Sequence, residues 1–375
     1  MPTKPQQKVA VGLSGGVDSS VTAALLKKQG YDVVGIFISF WSERVKGTAR
    51  DNICCSLESK NDAQKVCQKL KIPFYTMNMQ TNFKKLIVDD FVGAYDKGKT
   101  PNPCVRCNKY IKFGEFIKKA KALGCDYVAT GHYCNIKESK GIFNLTTSKD
   151  KQKDQTYFLH QLKQNQLKHI LFPVGKYEKS EVRKLARKFD LPTKSKVESQ
   201  EVCFIPDGNL ENFLKRHIKF DVGDIKDVNS KETLGTHKGL PIYTIGQRKG
   251  IGLPDGPWFV VRKDTTKNIL WITNNEKDLL KKEFTVKNIN FIVGTQNLVG
   301  TQNLVGTQNL VFPLKVKCKI RYGAKNVFAT IKKDPKSKSM NTYIVQFKSP
   351  QRAITKGQYA VFYKGKTCLG GGEIG

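Results

Sequence analysis

The first two hundred residues alternate short apolar runs with stretches in which apolar residues recur at helical spacing. The apolar runs predict strands at Val9–Val11, Val33–Ile38, Pro73–Met77 and Tyr127–Thr130. The intervening stretches predict helices at Ser20–Lys28, Asp62–Leu70, Phe83–Tyr95, Tyr110–Leu123 and Ser180–Phe189. This alternation predicts an α/β domain, with a mostly parallel sheet, helices on both faces and ligands at the carboxyl ends of its strands.

The second half of the chain changes to short, alternating apolar and polar stretches. Strands are predicted at Pro241–Ile245, Trp258–Arg262 and Ile269–Thr273, separated by Gly, Pro and Asn turns. Further strands are predicted at Leu314–Tyr322, Asn326–Ile331, Thr342–Phe347 and Gln358–Tyr363, a spacing typical of a small barrel. The predicted organisation is therefore an α/β domain (residues 1–215), a β-rich linker domain (216–282) and a C-terminal β-barrel (283–375).

Residues 294–311 consist of three tandem copies of Gly-Thr-Gln-Asn-Leu-Val. Six-residue repeats can build a β-helix, but three copies bury too little surface for one. We interpret the repeat as an expansion tolerated in a loop of the barrel domain.

Composition narrows the class of protein. The 375 residues contain no run of eighteen apolar residues and no apolar signal core at the N-terminus, so we expect a cytoplasmic protein without membrane association. Ten cysteines in such a chain favour thiol chemistry or metal binding over a disulfide framework. The net charge of +33 favours a polyanionic partner such as nucleic acid, although lysines scattered along the whole chain could also reflect an AT-rich genome.

The segment Gly12-Leu-Ser-Gly-Gly-Val-Asp-Ser19 lies between a predicted strand and a predicted helix. The two adjacent glycines let backbone N–H groups close around an anion, and the following helix directs its positive end toward it. The serine hydroxyls can add donors, and Asp18 can hold Mg²⁺. The phosphate loop of kinases and the dinucleotide fingerprint are both missing. A glycine pair can also be a plain tight turn, but the full octapeptide resembles the pyrophosphate loop (PP-loop) of ATP pyrophosphatases, which adenylate a carbonyl oxygen.

Three cysteines are candidates for the sulfur chemistry. Cys104 and Cys107 lie one turn apart at a predicted helix start, where Arg106 and Lys109 are expected to lower a thiol pKa. The pair alone could equally be half of a zinc site, but no partner pair follows at zinc spacing. Cys203 lies in a segment too polar for a plain core thiol. The other seven are predicted to be small buried residues, although one pair lies in a polar loop: Cys54, Cys55, Cys67, Cys125, Cys134, Cys318 and Cys368.

Taken together, these motifs resemble the tRNA-specific 2-thiouridylase family, which converts the wobble uridine of certain tRNAs to 2-thiouridine. The matching segments run nearly from end to end: Gly12–Ser19, Thr100–Phe113, Ala129–Tyr133, Lys153–Phe158, Ser199–Pro206, Tyr243–Gly250, Gln358–Tyr363 and Cys368–Gly372. The resemblance implies a PP-loop domain of the HUP type that binds ATP with Mg²⁺, and a linker domain and barrel that grip tRNA.

The resemblance also assigns roles to positions. ATP binding is implied for Gly12, Leu13, Ser14, Gly15, Gly16, Val17, Asp18, Ser19, Ile38 and Gly131. Contact with the target base is implied for Asn102, Pro103 and Cys104. Contact with tRNA is implied for His132, Lys153, Asp154, Gln155, Arg321, Tyr322 and Gln358. Cys107 corresponds to the nucleophile, and Cys203 to the thiol that carries a persulfide, with a disulfide between the two after transfer.

This chain departs from the family at one position. Better-known members have Asp-x-x-Cys where this chain has Cys104-x-x-Cys107, so the proposed acid–base role of the aspartate is absent or is taken by a thiol. The substitution also creates three candidate thiolates, Cys104, Cys107 and Cys203, which could hold a [4Fe–4S] cluster with one open iron. Persulfide and cluster-bound sulfide are therefore both open as the sulfur source.

The resemblance implies two partners besides ATP. These are tRNAs with a wobble uridine, of the Lys, Glu and Gln sets, and a cysteine desulfurase or sulfur carrier. Two other functions are weighed against this one. A different PP-loop enzyme, adenylating a small carbonyl or amide, would leave the C-terminal half without a role. A non-catalytic tRNA-binding protein would show no tRNA-dependent pyrophosphate release.

Overall fold

The protein is described by a computed structural model that covers residues 6–41, 43, 56–198, 202–205, 208–292, 312–337, 339 and 341–375. The repeat, Cys54 and Cys55 lie outside the described residues, as does part of the predicted Ser199–Pro206 motif. Within these ranges, no helix has the length and apolar character needed to cross a membrane.

The N-terminal part contains a five-stranded parallel sheet, as predicted. Its strands, in spatial order, are β3 (Phe74–Asn78), β2 (Asp32–Ser39), β1 (Lys8–Leu13), β4 (Tyr127–Ala129) and β7 (Ile170–Leu171). The central strand β1 is covered on both faces, and Val9, Ala10 and Val11 are fully buried. An uninterrupted apolar run is what such a doubly covered strand requires. The carboxyl ends of β1, β2 and β4 meet at one edge of the sheet.

Helices cover both faces of this sheet. The helices of the described part of the chain are α1 (Val17–Lys28), α2 (Leu57–Leu70), α3 (Gln80–Phe83), α4 (Asp89–Asp96), α5 (Pro103–Arg106), α6 (Phe116–Ala122), α7 (Gln164–Leu167), α8 (Lys179–Lys188) and α9 (Leu210–His217). Two of the predicted helices change pitch along their length. Lys84–Val88 is a π-helical segment joining α3 to α4, and Cys107–Glu115 is another joining α5 to α6. Segments of this kind are uncommon and often occur at functional sites.

The linker domain is built on a four-stranded sheet. Its order is β10 (Phe259–Asp264), β11 (Ile269–Thr273), β8 (Gly223–Asp227) and β9 (Thr233–His237). The predicted strands at 258–262 and 269–273 are confirmed, but the one predicted at Pro241–Ile245 is wrong. Leu240–Ile242 form a 3-10 turn instead. Pro241 has no N–H for a strand ladder, and Gly239 and Gly246 bend the chain on either side with φ of +127° and +84°.

The C-terminal strands close into a six-stranded antiparallel barrel, as predicted. They are β12 (Leu280–Phe291), β13 (Leu314–Lys319), β14 (Val327–Lys333), β15 (Thr342–Arg352), β16 (Tyr359–Lys364) and β17 (Thr367–Ile374). Pairing of β12 with β17 closes the ring. Strand β12 runs through the predicted boundary at 282/283, and the exact domain boundaries stay a prediction.

A hairpin that the sequence analysis missed connects the first domain to the barrel. It consists of β5 (Cys134–Ser139) and β6 (Ile142–Thr147), and β6 pairs with β17 at Thr146 and Thr367. Its turn, Lys140-Gly141, has positive φ at both positions, which suits the right-handed twist of a two-residue hairpin.

Five cysteines predicted to be buried are confirmed as core residues: Cys67, Cys125, Cys134, Cys318 and Cys368. Burial raises the pKa of Cys67 and of Cys368 to about 12. These thiols are therefore not nucleophiles at neutral pH.

Candidate active site

One cavity of about 290 Å³ lies at the edge of the sheet where β1, β2 and β4 end. Thirteen of the predicted site residues line it: Gly12, Leu13, Ser14, Asp18, Ser19, Ile38, Pro103, Cys104, Cys107, Gly131, His132, Gln155 and Cys203. Cavities at this edge of an open α/β sheet are the usual ligand sites of such folds. The nucleotide loop and the three candidate thiols thus share one space.

The loop from Gly12 to Ser19 has the form expected of an anion site. Gly16 caps helix α1, whose first N–H groups have no acceptor within the helix. Gly15 has φ +73°, and a side chain there would overlap the Ser59 carbonyl oxygen. A Cβ on Gly131 would lie 2.7 Å from the Ser19 nitrogen. Both glycines are therefore needed for the backbone to close around the start of α1.

The loop serines hold the loop's shape. The Ser14 amide donates to the Ser19 hydroxyl oxygen (3.2 Å), and the Ser19 hydroxyl in turn donates to the Gly16 carbonyl (3.1 Å). The hydroxyls of Ser14 and Ser19 also lie 3.2 Å apart. These bonds fix the loop in advance of ligand binding.

Asp18 lies at the centre of a charged network that the sequence analysis missed. Lys179, at the start of α8, donates to both Asp18 oxygens (2.7 and 2.8 Å), and the Tyr133 hydroxyl donates to one of them (2.8 Å). Lys179 also pairs with Glu198, which pairs with Lys153 (2.7 Å). Burial and the Asp18 carboxylate raise the pKa of Tyr133. No local signal marks Lys179, because it lies 161 residues from Asp18 in the chain.

The network bears directly on the predicted Mg²⁺ role of Asp18. A carboxylate beside a phosphate-binding loop is a suitable ligand for Mg²⁺. Both oxygens accept from Lys179, whose side chain is only 13% exposed. An ion at Asp18 therefore requires Lys179 to turn away, toward Glu198 or toward a phosphate.

The three thiols reach the cavity from two segments. Pro103 occupies the first turn of α5, where its missing N–H removes no hydrogen bond from the helix. Helix α5 then continues into the π-helical segment that begins at Cys107. Cys104 is exposed and Cys107 is buried at 7% exposure. Cys203 is half-buried and reaches the cavity from residues 202–205.

Cys203 is held in place by its neighbour. Phe204 is buried and packs edge-on against Phe83, Phe91 and Phe213, with ring centroids 5.8, 5.1 and 5.6 Å apart. Aromatic contacts of this kind anchor the short segment that carries the thiol. The aromatic residue next to Cys203 is the sequence signal that could have predicted this anchor.

The cation that lines the cavity is Lys112, whereas the expected effect of Arg106 and Lys109 on a thiol pKa stays a prediction. The Arg106 guanidinium pairs with Asp90 (2.9 Å), and Lys109 donates to Gln161 (3.2 Å). Neither residue lines the cavity, whereas Lys112 does. Among the described residues, Lys112 is the only lysine or arginine that lines this cavity.

Two predicted tRNA contacts on the cavity wall are tied into the protein interior. His132 lies 2.7 Å from the Thr130 hydroxyl and packs between Phe113 and Phe172. Burial and nearby Lys112 hold the pKa of His132 well below its ordinary value, so the imidazole is neutral at pH 7. The Gln155 side-chain oxygen accepts from the Tyr133 amide (2.9 Å).

The remaining predicted tRNA contacts lie outside the cavity. Asp154 is buried and accepts from the Thr156 hydroxyl (2.6 Å) and the Ser148 amide (3.1 Å). Tyr322 is 41% exposed and packs against Phe158 with the ring planes tilted by 39° and the centroids 4.5 Å apart. Burial raises the pKa of Tyr322, and the Lys153 ammonium opposes that shift, so these two groups are neighbours. Arg321, beside Tyr322, is exposed and donates to the Arg352 carbonyl (3.4 Å).

Two other predicted positions lie apart from the nucleotide loop. Asn102 lines a second, polar cavity of about 260 Å³, together with Arg106, Gly357 and Tyr359. Gln358 donates its side-chain N–H to the Thr100 carbonyl (2.8 Å). The tRNA and base-contact roles of these residues stay predictions.

The predicted cluster ligands do not form a ready-made metal site. Across the described parts of the chain, no three His, Cys, Asp or Glu side chains come together as possible metal ligands. Cys104, Cys107 and Cys203 share the cavity, but they would have to move to bind one cluster. As placed, the three thiols do not fit a [4Fe–4S] group.

Comparison with known families covers nearly the whole chain. Residues 7–207 match the family described as tRNA methyl transferase HUP domain. Residues 211–274 match the tRNA methyl transferase PRC-barrel domain, and residues 281–374 match the aminomethyltransferase beta-barrel domain.

Full-length relatives carry one common name, tRNA-specific 2-thiouridylase MnmA. The protein of that name from Clostridium perfringens is 45% identical, over 98% of both chains. That from Clostridioides difficile is 44% identical over 98% of both chains. MnmA 1 from Caldanaerobacter subterraneus is 46% identical over 98% of this chain and 97% of its own.

Proposed function

Because the chain belongs to the tRNA-specific 2-thiouridylase family, we propose that its cavity thiolates the wobble uridine of tRNA through Cys107 and Cys203. The protein is an ATP-using tRNA sulfurtransferase. The matched domain descriptions mention methyl transfer, whereas a pyrophosphate loop and reactive thiols suit thiolation. The observation that carries the proposal is the single cavity in which the nucleotide loop faces Cys104, Cys107 and Cys203.

The loop and α1 support the first step. The uridine C2 carbonyl is a poor electrophile, and its oxygen must become a leaving group before sulfur can enter. N–H groups at the start of α1 would hold the phosphates of ATP, and Lys179, released from Asp18, would add a positive charge. The C2 oxygen attacks the α-phosphorus and pyrophosphate leaves, so AMP becomes the leaving group on C2.

The thiols support the second step. A persulfide on Cys203 attacks C2 with its terminal sulfur, and AMP leaves with the original oxygen. The Cys107 thiolate then attacks Sγ of Cys203. The S–S bond to the transferred sulfur breaks, the electron pair forms the C2 thiocarbonyl, and a Cys107–Cys203 disulfide remains. Each turnover therefore needs an external reductant, and Lys112, which lines the same cavity, would stabilise the Cys107 thiolate.

The sulfur and the tRNA come from partners. We assign the sulfur to a cysteine desulfurase or a sulfur carrier, which must reach half-buried Cys203. Substrates are tRNAs with a wobble uridine, of the Lys, Glu and Gln sets. The cycle regenerates free thiols, which fits a cytoplasmic location, where thiols are kept reduced.

The test is an anaerobic thiolation assay with and without iron–sulfur reconstitution. Protein, ATP, a cysteine desulfurase with cysteine and a tRNA transcript are combined, and 2-thiouridine is measured by mass spectrometry. A transcript with cytidine at the wobble position is the matched control. The proposal expects iron-independent thiolation of the uridine transcript alone, with pyrophosphate release that requires tRNA. Thiolation only after reconstitution would replace the persulfide by a cluster-bound sulfide.

A further inference from the structure

The segment Gly98–Thr100 comes directly before the residues that present the thiols. Pro101 and Pro103 flank Asn102, which has an extended backbone with φ −116° and ψ 96°. Proline fixes φ, so this short connection transmits a displacement of Thr100 to Cys104. The position of Thr100 therefore helps to determine where α5 places its thiols.

The barrel holds this segment by three polar contacts. The Thr100 amide donates to the Lys356 carbonyl (2.9 Å), and the Gln358 side chain donates to the Thr100 carbonyl (2.8 Å). Next to it, Lys99 pairs with Glu373 (2.8 Å). Thr100 is thus bonded through both backbone polar groups to the same turn before β16.

The linker domain contacts the segment from a second direction. The hydroxyls of Thr100 and Thr244 lie 3.3 Å apart. A Cβ on Gly98, which has φ +70°, would lie 2.7 Å from the Thr265 methyl. The segment is therefore held between two domains that contribute none of the residues lining the nucleotide cavity.

Gly357 makes this close approach possible. It has φ +89°, and a Cβ added to it would lie 3.1 Å from both the nitrogen and the oxygen of Thr100. Any side chain at Gly357 would push directly against the clamped peptide. The Gly357–Gln358 turn is thus fitted to Thr100 by both shape and hydrogen bonding.

We infer that Thr100 and Gln358 are positioning residues for the thiol transfer: the barrel clamps Thr100 and so sets Cys104 and Cys107 opposite the nucleotide loop. Gln358 acts through this contact with Thr100 and not as a tRNA contact. The inference rests on the proposed function and adds to it the reason why the barrel is needed for the chemistry. The clamp should affect the turnover of bound tRNA and not its binding.

The first test replaces Gln358 by methionine, which keeps the length and removes the donor. Loss of one hydrogen bond to a half-buried carbonyl should lower kcat for thiolation by about fivefold. The Kd for tRNA should stay within about twofold of wild type. If Kd rises while kcat is unchanged, Gln358 is a tRNA contact and the inference is wrong.

The second test compares Gly357→Ala with Gly365→Ala. Both glycines lie in turns of the barrel with positive φ, +89° and +59°, but a Cβ on Gly365 meets nothing within 4 Å. The control therefore carries similar backbone strain without touching Thr100. We expect a lower kcat for Gly357→Ala alone, whereas equal kcat values in the two variants would overturn the clamp.

A third readout does not depend on catalysis. The rate of alkylation of exposed Cys104, resolved by peptide mass spectrometry in the absence of tRNA, should change in Gly357→Ala and Gln358→Met but not in Gly365→Ala. A changed alkylation rate supports the clamp even if the wild type fails to thiolate tRNA. That failure would refute the proposed function and leave the clamp standing. Identical rates in all three variants would contradict the clamp.

Discussion

At the scale of single residues, the site depends on partners that are distant in sequence. The octapeptide loop and the three thiols could be predicted because each motif is local. Lys179 could not, since its contact with Asp18 across the fold defines its role, whereas the aromatic residue next to Cys203 is a local signal for the Phe204 anchor. The expected effect of Arg106 and Lys109 on a thiol pKa stays a prediction, and the fold adds that Arg106 pairs with Asp90 while Lys112 lines the cavity.

Asp18 provides a test of the nucleotide step. Asp18→Ala removes the carboxylate beside the loop and leaves Lys179 without one of its two partners. Pyrophosphate release should fall by about 100-fold or more, because the predicted ligand of the Mg²⁺ that would neutralise the phosphates is lost. Binding of tRNA, measured without ATP, should stay close to wild type.

The control for this variant is Asp221→Ala. Asp221 is 63% exposed and pairs only on the surface, with Lys219 at 3.1 Å. It should behave as wild type in both assays. Near-normal pyrophosphate release by Asp18→Ala would remove Asp18 from the nucleotide site.

Cys104 is the position that separates the two sulfur sources. In the persulfide route Cys104 is a neighbour of the reacting thiols and takes no part in the transfer. Cys104→Ser should therefore keep at least about a third of the wild-type thiolation rate in air. This corresponds to an increase of less than about 0.7 kcal/mol in the activation free energy. Cys107→Ser and Cys203→Ser should each be inactive. Parallel loss of thiolation and bound iron in all three variants would instead establish three equivalent cluster ligands.

At the scale of elements, the sequence patterns predicted those strands in which burial follows a regular pattern along the chain. The parallel sheet follows from continuous apolar runs, and the barrel from alternation. The π-helical pitch of Cys107–Glu115 could not be predicted from the sequence. A π-helix differs from an α-helix in that each backbone hydrogen bond spans one more residue, and this difference requires no particular residue types. The β5–β6 hairpin was missed because polar residues, among them Asn135, Lys137 and Ser139, interrupt its few apolar positions.

The π-helical segment can be tested with two helical glycines. A Cβ on Gly114 would lie 3.0 Å from the Lys109 carbonyl, five residues earlier, whereas one on Gly93 in α4 meets nothing within 4 Å. Gly93→Ala should raise the free energy of unfolding by about 0.5–1 kcal/mol. Gly114→Ala should lower it by about 1–2 kcal/mol, because the carbonyl must shift.

The measurement is thermal unfolding of the full chain, with thiolation measured alongside. Gly114→Ala should also lose activity, since its helix carries Cys107, while Gly93→Ala should not. Equal stabilisation by both substitutions would mean that the segment from Cys107 to Glu115 has ordinary helical pitch in solution.

At the scale of the whole molecule, the proposed function assigns one reaction to a chain that matches three domain families. The net charge of +33 gives the surface a strong attraction for a polyanion, and Tyr322 of the barrel, which follows exposed Arg321, lies near Lys153 of the first domain. A cation and an aromatic ring at such a junction suit contact with the phosphates and bases of RNA. The β6–β17 pairing and the Thr100 contacts join the barrel to the catalytic domain.

The charge makes a prediction about salt. Affinity for tRNA should fall at least about tenfold between about 50 and 200 mM salt, because bound counterions are released on binding. Arg321→Gln should reduce the slope of log Kd against log salt by about one. An affinity that does not change over this range would mean that the lysine excess reflects codon composition.

The central claim is that one cavity adenylates tRNA and transfers sulfur from Cys203 with Cys107 as the resolving thiol. The most direct measurement is a single turnover in air with iron-free protein, loaded with persulfide and mixed with ATP and a wobble-uridine transcript. Mass spectrometry should find one 2-thiouridine formed for each persulfide consumed, together with a Cys107–Cys203 disulfide. Thiolation that leaves both thiols free, or that fails until iron and sulfide are supplied, would contradict the account.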